Sequence, residues 1–168
     1  MMDRTPDFRQ HSLGARTEDV NSPEAIVVAL YDSISGAADE DRDWDRIRSL
    51  FGPGARLVVG RWVSDPAAPR SVVYEWDVET FIQEGREYWM AEGFWESQLV
   101  RRVEVFGKVA HVFSSYESKV GSPTSAPVGR GVNSVQLIEH AERWWIVSVA
   151  WDVETPGHPI PPDLRFRD

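Results

Sequence analysis

The stretch FWESQLVRRVEVFGKVAHVFSSYESKV, Phe94 to Val120, decides the fold. Apolar and polar residues alternate in both halves, the period of two expected of a strand with one buried face. Gly107-Lys108, between Phe106 and Val109, is a two-residue hairpin turn, so Phe106 pairs with Val109 and the register follows at one step per residue. Val105, Val103, Arg101 and Leu99 then share a face with Ala110, Val112, Ser114 and Tyr116. The opposite face collects Phe106, Glu104, Arg102 and Val100 with Val109, His111, Phe113, Ser115 and Glu117. The first set is more apolar and is the expected core face. Arg101, Ser114 and Tyr116 are therefore polar groups toward the wider end of an apolar wall, and candidates for lining a ligand pocket.

Working outward, four long strands are readable at roughly 94 to 106, 109 to 120, 128 to 138 and 144 to 152, with turns at Gly107-Lys108, Gly121-Ser122-Pro123 and Glu139 to Arg143. Upstream the period changes. Ser22-Pro23-Glu24 reads as a capped helix start, followed by Ile26, Val27, Leu30, Tyr31 and Ile34 at three- and four-residue intervals, ending near Gly36. Asp43 can cap a short second helix whose Trp44, Ile47 and Phe51 share a face, and Gly52-Pro53-Gly54 stops it. Ala55 to Val63 and Val72 to Trp76 read as strands flanking the proline-bearing loop Ser64 to Arg70, an expected pocket rim. Asp77 caps a third helix with Val78, Phe81, Ile82, Gly85, Tyr88 and Trp89 on one stripe. Gly85 there costs about 1 kcal/mol of helix propensity relative to Ala, so it is expected where another element approaches closely. The division is a flexible arm over 1–21, one domain over 22–154 and a proline-rich tail over 155–168. The class is α+β, with three N-terminal helices packed on a curved, mainly antiparallel sheet.

Composition narrows the function classes. The chain has 168 residues, 42% hydrophobic and 27% charged, enough core material for one ordinary domain. A net charge of −9 sets the overall field against a phosphate backbone, so nucleic acid is disfavoured as a partner. Cys is absent, which excludes disulfides, thiolate metal sites and cysteine nucleophiles. His11, His111, His140 and His158 show no metal-ligand spacing, so no metal is expected. The apolar runs Ala25 to Tyr31 and Ile146 to Trp151 fall well short of the roughly 20 residues of a membrane span. Met1 to Pro6 lacks a secretion signal's apolar core, and a cytoplasmic location is expected.

The order helix, helix, strand pair, helix, four-strand meander resembles the NTF2-like superfamily, and within it the SnoaL-like proteins, grouped with ketosteroid isomerases and scytalone dehydratase. The resemblance covers about residues 22 to 152. Its carriers are Pro23 to Ile34, Trp44 to Phe51 before Gly52-Pro53-Gly54-Ala55, the hairpin Val105 to Val112, and Gly131 to Leu137 followed by Arg143-Trp144-Trp145-Ile146-Val147. It implies a cone whose open end takes a small, largely apolar ligand, homodimers formed through the outer sheet face, and no cofactor. If the protein is an enzyme, the implied chemistry is proton transfer in an isomerisation, dehydration or cyclisation.

The resemblance also suggests roles for particular side chains. Tyr31 is similar to a helix-one tyrosine that donates to a carbonyl or hydroxyl in some relatives, though core packing with a rim hydroxyl contact is the simpler account of it. Asp152 resembles the acid/base aspartate of SnoaL-type cyclases, without their adjoining histidine signature. Its facing depends on the Glu139 to Arg143 turn: an even loop places Trp144, Ile146, Ser148, Ala150 and Asp152 on the core face, an odd loop Trp145, Val147, Val149 and Trp151. Asn133 shares the core face with Val135 as a candidate ligand contact or the partner of a bulge near Gly129 and Gly131. Arg101 can meet a ligand carboxylate or an internal acid. Trp89, with Trp62, Trp76 and Trp95, edges the opening or fills the cone. His111 falls opposite Glu104 on the outer face, where a cross-strand pair accounts for it. A second reading is a non-catalytic assembly domain using Arg102, Glu104, His111 and Phe113, and a third is a subunit like the small chain of ring-hydroxylating dioxygenases.

Overall fold

The structure is a computed structural model that describes residues 7–12, 14–63 and 70–165. Four α-helices pack on one face of a six-stranded curved sheet that does not close. They are α1 (Thr17–Val20), α2 (Pro23–Ile34), α3 (Trp44–Leu50) and α4 (Val78–Ala91). The strands are β1 (Phe51–Val63), β2 (Arg70–Trp76), β3 (Phe94–Phe106), β4 (Val109–Val120), β5 (Gly129–His140) and β6 (Arg143–Val153), in spatial order β2-β1-β6-β5-β4-β3. All neighbours are antiparallel except β1 and β6, which run parallel. The Ser64–Pro69 part of the expected rim lies outside the described residues, as does the side chain of Trp62. No helix among the described residues is long and apolar enough to cross a membrane.

The helix starts follow the residues that specify them. Ser22 Oγ accepts from the Ala25 N–H at 3.0 Å, Asp43 Oδ1 from Arg46 at 2.9 Å and Asp77 Oδ1 from Thr80 at 2.8 Å, each satisfying a donor that a helix N-terminus leaves free. The apolar stripe of α2 buries Ile26, Val27, Leu30 and Ile34 against the sheet's inner face, where Val112, Val135, Leu137 and Ile146 are buried. Each such side chain contributes roughly 1.5–3 kcal/mol over leaving it in water. Phe51, expected to continue the face of α3, instead opens β1, because Gly52-Pro53-Gly54 forces extended backbone; the β1–β6 register shifts across the same residues.

The hairpin register around Gly107-Lys108 is the expected one from Phe106–Val109 back to Val100–Ser115. There the alternation breaks: Gln98 pairs with Tyr116 and Val100 with Ser115, leaving Leu99 as an extra residue in a bulge rather than on the core face. Beyond the bulge the parity of β3 inverts, and Gln98 and Glu96 join the inner face. A second bulge sits in β6. The β5–β6 turn is the two-residue loop Ala141-Glu142, both at positive φ (52° and 60°), as type I′ geometry demands. That even loop sends Trp144 and Ile146 inward; then Gln136 pairs with Ser148 and Leu137 with Ile146, so Val147 is skipped. From Val149 on, the odd set faces inward. Each parity expected from the sequence is thus right for half of the strand.

The described parts of both terminal segments pack on the domain. Val20 and Asp19 of the expected flexible arm are buried, with Arg46 of α3 gripping both Asp19 oxygens at 2.7 and 2.9 Å and Asp32 of α2 at 2.6 Å. The Phe8 ring lies 5.0 Å from that of Trp145 on the outer sheet face. Arg42, inside the acidic run 39–43, is buried and donates to the carbonyls of Ile34, Gly36 and Trp89, locking the end of α2 to α4. The segment after β6 turns at Thr155–His158, crosses the outer face and ends in a 3-10 turn, Pro162–Leu164.

Candidate functional site

Tyr31 projects from α2 onto the inner sheet face, where its hydroxyl donates to Ser114 Oγ at 2.9 Å and accepts from Asn133 Nδ2 at 3.0 Å. Ser114 on β4 and Asn133 on β5 are directly paired residues, so the helix tyrosine bridges two neighbouring strands. Ser114 Oγ also accepts from Gln98 Nε2 at 2.7 Å, and Gln98 Oε1 accepts from Arg101 Nη1 at 2.6 Å. The sequence extends from an exposed guanidinium to a phenol that is 3% exposed. Ser114 Oγ accepts from both Tyr31 and Gln98, while the Tyr31 oxygen accepts from Asn133, so the donors converge on two buried oxygens.

Glu96 completes the group. Its residue shows part of its surface to solvent, but the carboxyl is withdrawn from water, and burial pushes its pKa up to about 8. The nearby Asn133 amide pulls the other way without cancelling the effect. Tyr31 is held above its ordinary range first by burial and then by the Glu96 charge, against the opposing hydrogen bonds from Ser114 and Asn133. The phenol therefore stays neutral and remains a donor, while the carboxyl can carry or release a proton near neutrality.

Aromatic rings lie beside this polar group on the inner face. Trp151 pairs directly with Asn133 on the inner face, and Phe94 lies two residues before Glu96 on the same side of β3. Trp89 stands between α4 and Phe94, with ring centroids 6.3 Å apart, and meets Phe81 edge-on at 5.2 Å. Phe81 reaches Trp151 at 6.4 Å, and Trp151 reaches Trp76 at 5.9 Å. Gly85 makes the Trp89 position available: a Cβ there would lie 2.4 Å from the indole ring, so the close approach comes from its own helix rather than from another element. Gly131 plays the same part for Tyr116, whose hydroxyl would be 2.5 Å from an added Cβ.

The residues singled out in the sequence divide accordingly. Tyr31, Ser114, Tyr116, Asn133 and Trp89 are brought together and buried; Arg101 joins them at the exposed end through Gln98. Asp152 does not join. The Val147 bulge turns it to the outer face opposite Val132, exposed, where its Oδ1 accepts from the Val153 N–H at 2.8 Å. The carboxylate expected at its place on the inner face is supplied by Glu96 instead. Glu96 and Gln98 were missed because strict alternation from the turn assigns them to the opposite face. The sequence signal is indirect: Glu96 falls between the aromatic pair Phe94-Trp95 and the polar pair Ser97-Gln98, with Arg101 the nearest basic residue.

The described part of the chain is an NTF2-like fold: helices inside a curved, mostly antiparallel sheet with polar side chains on the inner face. Solved structures bear this out. An NTF2-like protein of unknown function from Silicibacter pomeroyi superposes with a TM-score of 0.54 at 14% identity, covering 78% of this chain and 92% of that one. A protein of unknown function from Mycobacterium tuberculosis gives a TM-score of 0.59 at 13% identity over 84% and 79%. A protein from Parabacteroides distasonis provisionally assigned as a ketosteroid isomerase gives 0.51 at 13% over 88% and 98%. At such identities the likeness is one of fold. A scan against protein-family models and a search of curated proteins find no match.

Proposed function

We propose that the protein binds a small, largely apolar ligand against the inner sheet face and transfers a proton on it without a cofactor. Glu96 is the acid/base. Tyr31, positioned by the Asn133 amide, turns its one O–H from Ser114 to the ligand oxygen on which charge develops. The observation that carries this reading is the convergence of Glu96, Tyr31 and Asn133, from β3, α2 and β5, on the inner face beside Phe94 and Trp151. A desolvated carboxyl beside a neutral phenol suits abstraction of a proton next to a carbonyl: the base takes the proton, the phenol stabilises the enolate oxygen, and return of the proton elsewhere isomerises the ligand. Burial makes the carboxylate a stronger base than one in water. Trp89, Phe94 and Trp151 supply apolar area for the ligand's body. Arg101, exposed at the end of the hydrogen-bonded sequence, orients Gln98 and through it Ser114.

The reading is tested without knowing the natural substrate. The protein is incubated in D2O with a panel of cyclic ketones, and deuterium uptake at the carbons next to the carbonyl is followed by NMR. Uptake that the Glu96→Gln variant abolishes supports the proposal; no uptake above buffer across the panel, with no small molecule retained in native mass spectrometry, overturns it.

A further inference from the structure

A cleft of about 430 Å³ opens between α1, one flank of α2 and the edge strand β3. Arg101 belongs both to its wall and to the hydrogen-bonded group around Tyr31. The floor is a stripe of α2: Ala25, Val28 and Ala29 stand three and four residues apart, as neighbours on one helix face. Val28 is 47% exposed, whereas Ile26, Val27 and Leu30 on the adjoining stripe are buried in the core. The small alanines beside it leave the valine methyl groups open to whatever enters the cleft.

Charges of both signs surround this floor. Arg46 neutralises Asp19 and one oxygen of Asp32, so those groups are internal to the wall. Arg101 is different. It spends a single N–H on Gln98 Oε1, a neutral acceptor, and meets no carboxylate among the described residues, which leaves the rest of its guanidinium fork facing outward. Glu18 of α1 and the half-buried Glu24 in the first turn of α2 line the same cleft, and neither has an ion pair or a side-chain hydrogen bond among the described residues. No ion pair joins Arg101 to either glutamate across the gap. A ligand with only negative charge meets Glu18, Glu24 and the outer oxygen of Asp32; one with only positive charge meets Arg101. A small zwitterion satisfies both, because a carboxylate matches the planar guanidinium and an ammonium group matches the glutamates. The apolar floor adds a preference for a hydrocarbon side chain.

We propose that this cleft binds a free apolar α-amino acid, with its carboxylate on Arg101, its ammonium group at Glu18 and Glu24, and its side chain on Ala25, Val28 and Ala29. The site stands apart from the proton transfer proposed above and does not depend on it. Backbone amide NMR spectra of the intact protein, titrated with L-leucine, test it. Two control ligands each lack one charge: 3-methylbutylamine has no carboxylate and 4-methylpentanoate has no ammonium group. The expected result is a saturable shift of amides confined to residues 18–32 and 98–101, with each control binding about tenfold or more weakly than leucine. Arg101→Gln then removes the preference for leucine over the amine, and Glu24→Gln reduces the preference over the carboxylate. Absence of a saturable shift with leucine overturns the proposal, as do shifts centred on other residues or controls that bind as tightly as leucine. The comparison of the three ligands is made on the unaltered chain, so it decides even if a variant fails to fold.

Discussion

The Asn133 amide donates to the Tyr31 hydroxyl at 3.0 Å across 102 residues of sequence, and the same amide draws the Glu96 pKa down against the effect of burial. One side chain on β5 thus holds helix α2, and it opposes the effect of burial on both groups proposed to do chemistry. Asn133→Ala removes that donor while leaving Tyr31 and Glu96 buried. Losing partners for buried polar groups costs about 1–3 kcal/mol, to be read from urea unfolding. The Glu96 pKa moves further up, because the only opposing influence on it is gone.

Glu96 gives stability a pH signature. Its carboxyl is raised to about 8 in the folded chain from an ordinary 4.5, so between those values the folded state binds a proton that the unfolded state has lost. The contribution is fully present below the unfolded pKa and is lost as pH rises through the folded one. Stability from this group therefore falls from about pH 5 to about pH 9. The fall is on the order of a few kcal/mol, because each tenfold difference in proton affinity between the two states is worth about 1.4 kcal/mol. Urea midpoints at the two ends of that range, for the native chain and for Glu96→Gln, check it: the variant loses the decline.

Tyr31→Phe keeps the ring packing and removes one oxygen. Ser114 loses a donor and Asn133 an acceptor, which costs about 1–2 kcal/mol. The rate of deuterium uptake into a responsive ketone falls by about two orders of magnitude, the usual loss when one donor to a developing oxyanion is removed. A stability loss with unchanged exchange rate restricts Tyr31 to packing.

Arg46 is a structural charge, separate from the site. It donates to Asp19 at 2.7 and 2.9 Å and to Asp32 at 2.6 Å, and these contacts hold its pKa above the ordinary arginine range. Arg46→Ala strands the buried Asp19 carboxylate and costs about 3–5 kcal/mol, whereas the double change D19N/R46M costs less because no lone charge remains. Thermal unfolding of the three chains orders them.

Gly85→Ala pits helix propensity against packing. The substitution gains about 1 kcal/mol of intrinsic helix preference, but the new Cβ would stand 2.4 Å from the Trp89 ring and must displace it. A net loss of about 1–3 kcal/mol is expected, with a shifted tryptophan emission maximum as the ring leaves its place beside Phe81 and Phe94.

Much of this architecture is written in local chemistry. Ser22, Asp43 and Asp77 cap helices because their side chains reach donors three residues on. The Gly107-Lys108 turn and the alternation beside it determine the hairpin register and the inward facing of Ser114 and Tyr116. Those signals act within a few residues of where they are written. Tertiary structure alone decided the parity of β3 and β6 past Leu99 and Val147. A bulge is stabilised by what the strand packs against on both faces, and it leaves the alternating pattern on either side intact, so nothing nearby in sequence announces it. The two bulges exchange one carboxylate for another, sending Asp152 to solvent and drawing Glu96 inside. The segment after β6 is of the same kind: its prolines exclude regular structure locally, but only the folded sheet provides the surface that buries Ile160 and Leu164.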